Sequence, residues 1–75
     1  MVYIDIIQEG TLIILNCHRG CEDGEFFQLV IDAETKQLVK RPAEPDMDAS
    51  IAYAHVYGLL KSGEQLPEKT VAAWG

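Results

Sequence analysis

The chain is poor in basic residues. Lysine and arginine number 6 against 12 aspartate and glutamate residues, which gives a formal net charge of −6 over 75 residues. Proteins that bind nucleic acid neutralise phosphates with clustered Lys and Arg side chains, and the only adjacent basic pair here is Lys40-Arg41. Given this negative charge, we expect Tyr53, Tyr57 and Trp74 to be packing residues rather than a base-stacking surface. We therefore expect no nucleic-acid partner.

Long apolar runs are also absent. No run exceeds the four residues of Leu12-Ile13-Ile14-Leu15, far fewer than the roughly 20 that a membrane-spanning helix needs. At the N-terminus no basic region precedes the apolar residues, and Asp5 interrupts them, unlike in a secretory signal peptide. We expect a cytoplasmic protein without a membrane partner.

Common catalytic motifs are missing as well. The sequence has no Gly-x-Ser-x-Gly, Walker loop, dinucleotide fingerprint or His-Glu-x-x-His. A chain of 75 residues also has little room for a ligand pocket, which usually needs about 300 Å³ or more. The sequence favours a non-enzymatic protein without a cofactor. A contribution to an enzyme site at an oligomer interface is left open.

Cysteine is limited to Cys17 and Cys21, which flank His18 and precede an acidic run. Two cysteines make no disulfide framework, and zinc knuckles usually present Cys-x₂-Cys with a second ligand pair elsewhere. The favoured interpretation is a buried Cys17 and a loop Cys21 without special function. The alternative is a thiol redox pair or metal site formed by Cys17, His18 and Cys21. Arg19 could stabilise a thiolate there, whereas the acidic neighbours oppose it.

What the chain does contain is a hydrophobic fraction of 48%, enough for one packed core, and we expect a single domain over residues 1–75. Runs rich in Val, Ile, Leu and Phe predict two β-hairpins, from residues 2–8 and 11–17 and from residues 25–32 and 36–41. Asp32 is placed to accept backbone amides in the second turn, in which Lys36 occupies a position that often carries glycine.

A helix is predicted over residues 49–61. Prolines 42 and 45 end the sheet, Asp46 or Asp48 can cap the helix N-terminus, and Gly63 suits its C-terminus. Residues 70–74 form either a short fifth strand or a tail that docks Trp74. The expected fold is α+β: a four-stranded antiparallel meander of two hairpins, then one helix packed on one face, with a short C-terminal strand or tail.

The register of the first hairpin stays open in the sequence. A two-residue Glu9-Gly10 turn pairs Ile6 with Ile13 and places Ile7 on the opposite face. A three-residue turn with Gly10 as a left-handed bulge exchanges the faces of the second strand. Either choice leaves apolar side chains on both faces.

One helix, about 10 Å wide, covers at most one face of a four-stranded sheet about 19 Å wide. The second face has to meet another protomer, a ligand or the C-terminal tail with Leu66, Val71 and Trp74. We expect a small acidic interaction module, homodimeric or bound to a protein partner through an apolar sheet face or edge. Its expected interface residues are Tyr3, Ile7, Phe26 and Val30.

Overall fold

The computed structural model describes residues 1–73 and has one antiparallel sheet with one helix packed on it. The elements in chain order are β1 (Val2–Glu9), β2 (Leu12–Arg19), β3 (Phe26–Asp32), β4 (Leu38–Lys40), α1 (Met47–Ser62) and β5 (Lys69–Ala72). The strand order in the sheet is β4-β3-β2-β1-β5. This confirms the predicted α+β fold, in which β1 to β4 are the meander.

The first hairpin turns through two residues, Gly10-Thr11. Gly10 has φ 59°, and glycine at the first loop position is typical of a type II′ turn. Ile6 therefore lies opposite Leu15, two residues from the Ile13 pairing that the Glu9-Gly10 alternative gives. A shift of two preserves the faces of a strand. The faces are thus those of the two-residue alternative.

The second hairpin has the turn chemistry that its sequence indicates. Asp32 Oδ1 accepts hydrogen bonds from the backbone amides of Glu34 at 2.8 Å and Thr35 at 3.2 Å. Lys36 has φ 64° and is the only non-glycine residue with positive φ in the described chain. Lys36 therefore has a left-handed backbone conformation that glycine adopts more readily.

Both ends of α1 are capped as expected, although the helix begins two residues earlier than its predicted start. Asp46 is the N-cap, and its side chain accepts from the amides of Asp48 and Ala49. Gly63 ends the helix with φ 76°, and its amide donates to the Leu60 carbonyl. The caps satisfy polar groups that a helix leaves unpaired at its ends.

The hydrophobic core lies between α1 and one face of the sheet. Alternate residues of β1, β2 and β3 point into it, as the two-residue period of a strand requires. The helix contributes small side chains that allow it to lie close to the sheet. The buried core residues are Val2, Ile4, Ile6, Ile13, Leu15, Cys17, Phe27, Leu29, Ile31, Ala49, Ala52, Val56 and Ala72.

The C-terminal segment forms a strand in the plane of the sheet. β5 pairs antiparallel with the first half of β1, with Val71 opposite Tyr3, and Leu66 packs against the core. Within residues 1–73 the segment therefore extends the sheet edge and does not cover the second face. The predicted docking of Trp74 lies outside the described residues. No helix in residues 1–73 is long and apolar enough to cross a membrane.

Candidate interaction face

The sheet face opposite α1, which we call the open face, is organised in rows across the strands. Directly opposed residues in antiparallel strands share a face, so the register defines each row. The aromatic row consists of Val71, Tyr3, His18 and Phe26. The polar row consists of Lys69, Asp5, Asn16 and Gln28. The aliphatic row consists of Ile7, Ile14 and Val30, and a last row of Glu9, Leu12 and Asp32 lies by the first turn.

Large apolar side chains are solvent-exposed on the open face. The exposed fraction is 53% for Phe26, 45% for Ile7, 41% for Val71 and 37% for Leu12. The structure places all four residues expected from the sequence on this one face: Tyr3, Ile7, Phe26 and Val30. Leu12 and Val71 were not among them. The alternation of side chains along β2 could have indicated Leu12. The strand character of residues 70–74 could have indicated Val71.

The polar row separates the two apolar rows. Gln28 Nε2 donates to Asn16 Oδ1 at 2.9 Å, and Lys40 Nζ donates to Gln28 Oε1 at 2.9 Å. At the other end of the row, Lys69 Nζ lies 3.8 Å from Asp5 Oδ1. Sequence reasoning missed this row because a lone Asn or Gln in a strand carries no spacing signal. The row gives the open face hydrogen-bonding groups at its middle.

Charges within the strand rows of the open face nearly balance. Asp5, Glu9 and Asp32 stand against Lys40 and Lys69, so three negative and two positive charges leave a formal −1. The whole chain carries −6, and most of its excess negative charge therefore lies outside these rows, including Glu22 and Asp23 beside the aromatic row.

A shallow cleft lies at the aromatic-row end of the open face. It has a volume of about 350 Å³, and its walls include Tyr3, His18, Glu22, Asp23 and Lys69. His18 Nδ1 lies 3.1 Å from the Gly24 carbonyl oxygen. Because that oxygen can only accept, this hydrogen bond requires the proton on Nδ1. The His18 ring packs against Phe26 with centroids 5.4 Å apart.

The residues of the predicted thiol or metal site point in different directions. Cys17 is buried on the helix side of the sheet, His18 lies on the open face, and Cys21 is exposed in the loop after β2. Both cysteines are free thiols. Within residues 1–73 no group of three or more His, Cys, Asp or Glu side chains is placed to hold a metal ion.

Burial raises the pKa of the Cys17 thiol from 9.0 to about 12. Removing the thiolate from water is the largest cause; Arg19 opposes the increase and Asp5 adds to it. The Cys17 thiol donates a long hydrogen bond, 3.7 Å, to the Leu15 carbonyl. A thiol in this state is a small apolar core group with little nucleophilic character.

Arg19 is held by carboxylates rather than by a thiolate. Its guanidinium bonds both carboxylate oxygens of Asp46 and donates to Asp48 Oδ2 at 2.8 Å and Glu25 Oε1 at 3.3 Å. It also lies 4.4 Å from the centre of the Phe27 ring. Arg19 therefore fastens the end of β2 to the start of α1.

The second histidine has a structural contact. His55 Nε2 lies 2.9 Å from the Thr70 hydroxyl oxygen, so α1 is hydrogen-bonded to β5. His55 is half-buried and therefore joins the helix to the sheet at the edge of the core. Comparison of the chain with protein-family models, with curated proteins and with solved structures finds no match.

Proposed function

We propose that this protein is a non-enzymatic interaction module that forms a homodimer through its open face. The observation that carries the proposal is the concentration of exposed apolar side chains on the sheet face opposite α1: Phe26, Ile7, Val71 and Leu12. Exposed apolar side chains concentrated on one face of a small protein often mark an interface.

The size of the open face supports a dimer of moderate strength. Five strands span about 24 Å and an eight-residue strand about 26 Å, which gives roughly 600 Å² for each copy. Two copies would bury about 1,200 Å² in total, near the lower limit of specific interfaces. We therefore expect a dissociation constant in the micromolar range.

Charge permits a second copy as the occupant. Two chains of −6 repel each other, so contact between copies requires a surface with little of that charge. The strand rows of the open face have a formal charge of only −1, from Asp5, Glu9 and Asp32 against Lys40 and Lys69, and Glu22 and Asp23 lie at their edge. The proposed compartment is the cytoplasm, where reducing conditions keep an exposed thiol such as Cys21 free.

Sedimentation equilibrium over a range of protein concentrations tests the proposal. We expect a monomer–dimer equilibrium in the wild-type chain that shifts toward dimer as salt increases, because salt screens the remaining repulsion. Ile7→Asp and Phe26→Asp should each shift the equilibrium to monomer, since a carboxylate would be buried in the interface.

Met47→Asp is the matched control. Met47 is 60% exposed on α1, away from the open face, and its replacement should leave the dimer unchanged. A wild-type chain that stays monomeric at all concentrations would contradict the proposal. So would a dimer that Met47→Asp weakens as much as Phe26→Asp does.

A further inference from the structure

Asn16 lies nearest the centre of the open face. β2 is the third of the five strands, and its eight residues, Leu12–Arg19, have their midpoint between Leu15 and Asn16. Leu15 points into the core, so Asn16 is the open-face residue closest to that midpoint. The aromatic row lies on one side of it and the aliphatic row on the other.

The amide of Asn16 has unused hydrogen-bonding capacity. Its Oδ1 accepts one hydrogen bond, from Gln28 Nε2, although a carbonyl oxygen can accept two. No side-chain hydrogen bond within residues 1–73 uses its Nδ2 donors. When an interface closes over Asn16, the free donors and acceptor of its amide lose their hydrogen bonds to water. Groups of the partner then have to replace those hydrogen bonds.

In a dimer with twofold symmetry, the residue at the centre of the interface contacts the same residue of the other copy. When two sheets pack face to face, the symmetry axis lies in the plane between them. A residue on that axis meets its own copy, whichever way the axis runs in that plane. An asparagine amide is self-complementary, because each copy offers an N–H donor and a C=O acceptor.

The geometry points to Asn16 as the residue that specifies the homodimer. This inference rests on the proposed function and adds the partner's arrangement: Asn16 pairs with Asn16 of a second copy, with Nδ2 of each donating to Oδ1 of the other. The apolar rows supply contact area on both sides of this pair. A polar pair between two apolar rows favours one register along the strands, because a shift along the strands would place the Asn16 amides against the apolar rows.

The decisive experiment uses opposite charges at this one position. Asn16→Asp and Asn16→Lys are prepared separately, checked for folding by circular dichroism, then mixed and examined by native mass spectrometry. Each variant alone should dissociate, since like charges meet across the axis. The mixture should form a heterodimer about tenfold or more in excess of statistical proportions. Gln65→Asp and Gln65→Lys change an exposed amide off the open face and should mix statistically.

Asp5 lies directly opposite residue 16, so a charge introduced there also meets a charge within the same copy. If the charged variants fold poorly, a neutral variant still tests the inference. In a Cys21→Ser background, Asn16→Cys should be joined to its own copy by a short bismaleimide, whereas Gln65→Cys should not. Cys17 is buried and does not compete.

The outcomes separate the two proposals. A wild-type dimer in which the position-16 variants mix statistically, or in which Asn16→Cys does not cross-link, overturns the placement of Asn16 and leaves the proposed function standing. A wild-type chain that is monomeric overturns both. Preferred heterodimers and efficient cross-linking support both.

Discussion

Arg19 and Asp46 form a bidentate ion pair that joins the end of β2 to the start of α1. Asp46 is at the same time the N-cap of α1, and its Oδ1 accepts the amides of Asp48 at 3.0 Å and Ala49 at 3.2 Å. The Asp46 carboxylate thus pairs with the end of β2 and also caps the start of α1. The side-chain exposures of Arg19 and Asp46 are 26% and 16%, low enough for the pair to contribute more than a surface salt bridge.

Substitutions at Asp46 should separate its two roles. Asp46→Asn keeps an acceptor oxygen for the helix amides but loses the charge, and we expect it to lower the free energy of unfolding by about 1–1.5 kcal/mol. Asp46→Ala loses both roles and should cost about 2–3 kcal/mol. Urea unfolding measures both values.

Glu44→Ala is the control for Asp46. It removes an exposed carboxylate from the same connection, and we expect a change within about 0.5 kcal/mol. Equal destabilisation by Asp46→Asn and Asp46→Ala would show that the ion pair alone, and not the cap, contributes to stability.

The same carboxylate should make stability depend on acid pH. The hydrogen bonds from Arg19 are the largest cause that lowers the pKa of Asp46 from 3.8 to about 2. A depressed pKa in the folded state stabilises the protein above the unfolded-state pKa, and this stabilisation is lost as the pH falls through the folded-state value. We expect Asp46 to account for about 1–2 kcal/mol of the loss between roughly pH 5 and pH 2.

Urea unfolding of wild type and Asp46→Asn at a series of pH values tests this dependence. The difference between the two free energies of unfolding should be largest near neutral pH and should shrink toward zero near pH 2. Parallel curves across that range would contradict the role assigned to the Arg19–Asp46 pair.

The parts of the fold that the sequence predicted correctly depend on nearby residues. The turn acceptor Asp32, the N-cap Asp46 and the C-cap Gly63 each bond amides or carbonyls within a few positions, and such local chemistry is visible in a sequence. The alternation of side chains within each strand was also predictable, because its period is two.

The parts that the sequence could not determine join distant segments. The pairing of β5 with β1 brings Val71 beside Tyr3, and Arg19 reaches Asp46 across 27 positions. Neither contact leaves a local pattern. The register of the first hairpin stayed open because Gly10 fits more than one turn, and only the closed sheet selects between them. The polar row of the open face was missed because a lone Asn or Gln in a strand carries no spacing signal.

Two glycine substitutions should have opposite effects on stability. At Gly24 an added Cβ would lie 1.7 Å from the Arg19 carbonyl oxygen, so Gly24→Ala forces the loop after β2 to move and should cost more than about 2 kcal/mol. At Gly58, inside α1, an added Cβ meets nothing within 4 Å. Gly58→Ala should stabilise the protein by about 0.5–1 kcal/mol through helix propensity.

Thermal and urea unfolding of both glycine variants provide the test. The Gly24→Ala variant should also lose the His18–Gly24 hydrogen bond, which the ring proton signals of His18 in NMR spectra would report. A Gly24→Ala variant as stable as the wild type would mean that the loop accommodates a side chain without moving Arg19.

The two thiols should differ strongly in reactivity. Cys21 is exposed, whereas the buried Cys17 has a pKa of about 12 instead of 9.0, so its thiolate fraction at neutral pH is lower by about a thousandfold. Iodoacetamide labelling with mass-spectrometric mapping should modify Cys21 rapidly and Cys17 only in urea. Cys21→Ser should show no rapid labelling and one modification after unfolding. The redox alternative requires a Cys17–Cys21 disulfide to form under mild oxidation without unfolding. That result would contradict the core role of Cys17 and favour a catalytic or sensing one. A thiol inaccessible to iodoacetamide cannot attack its neighbour unless the end of β2 opens.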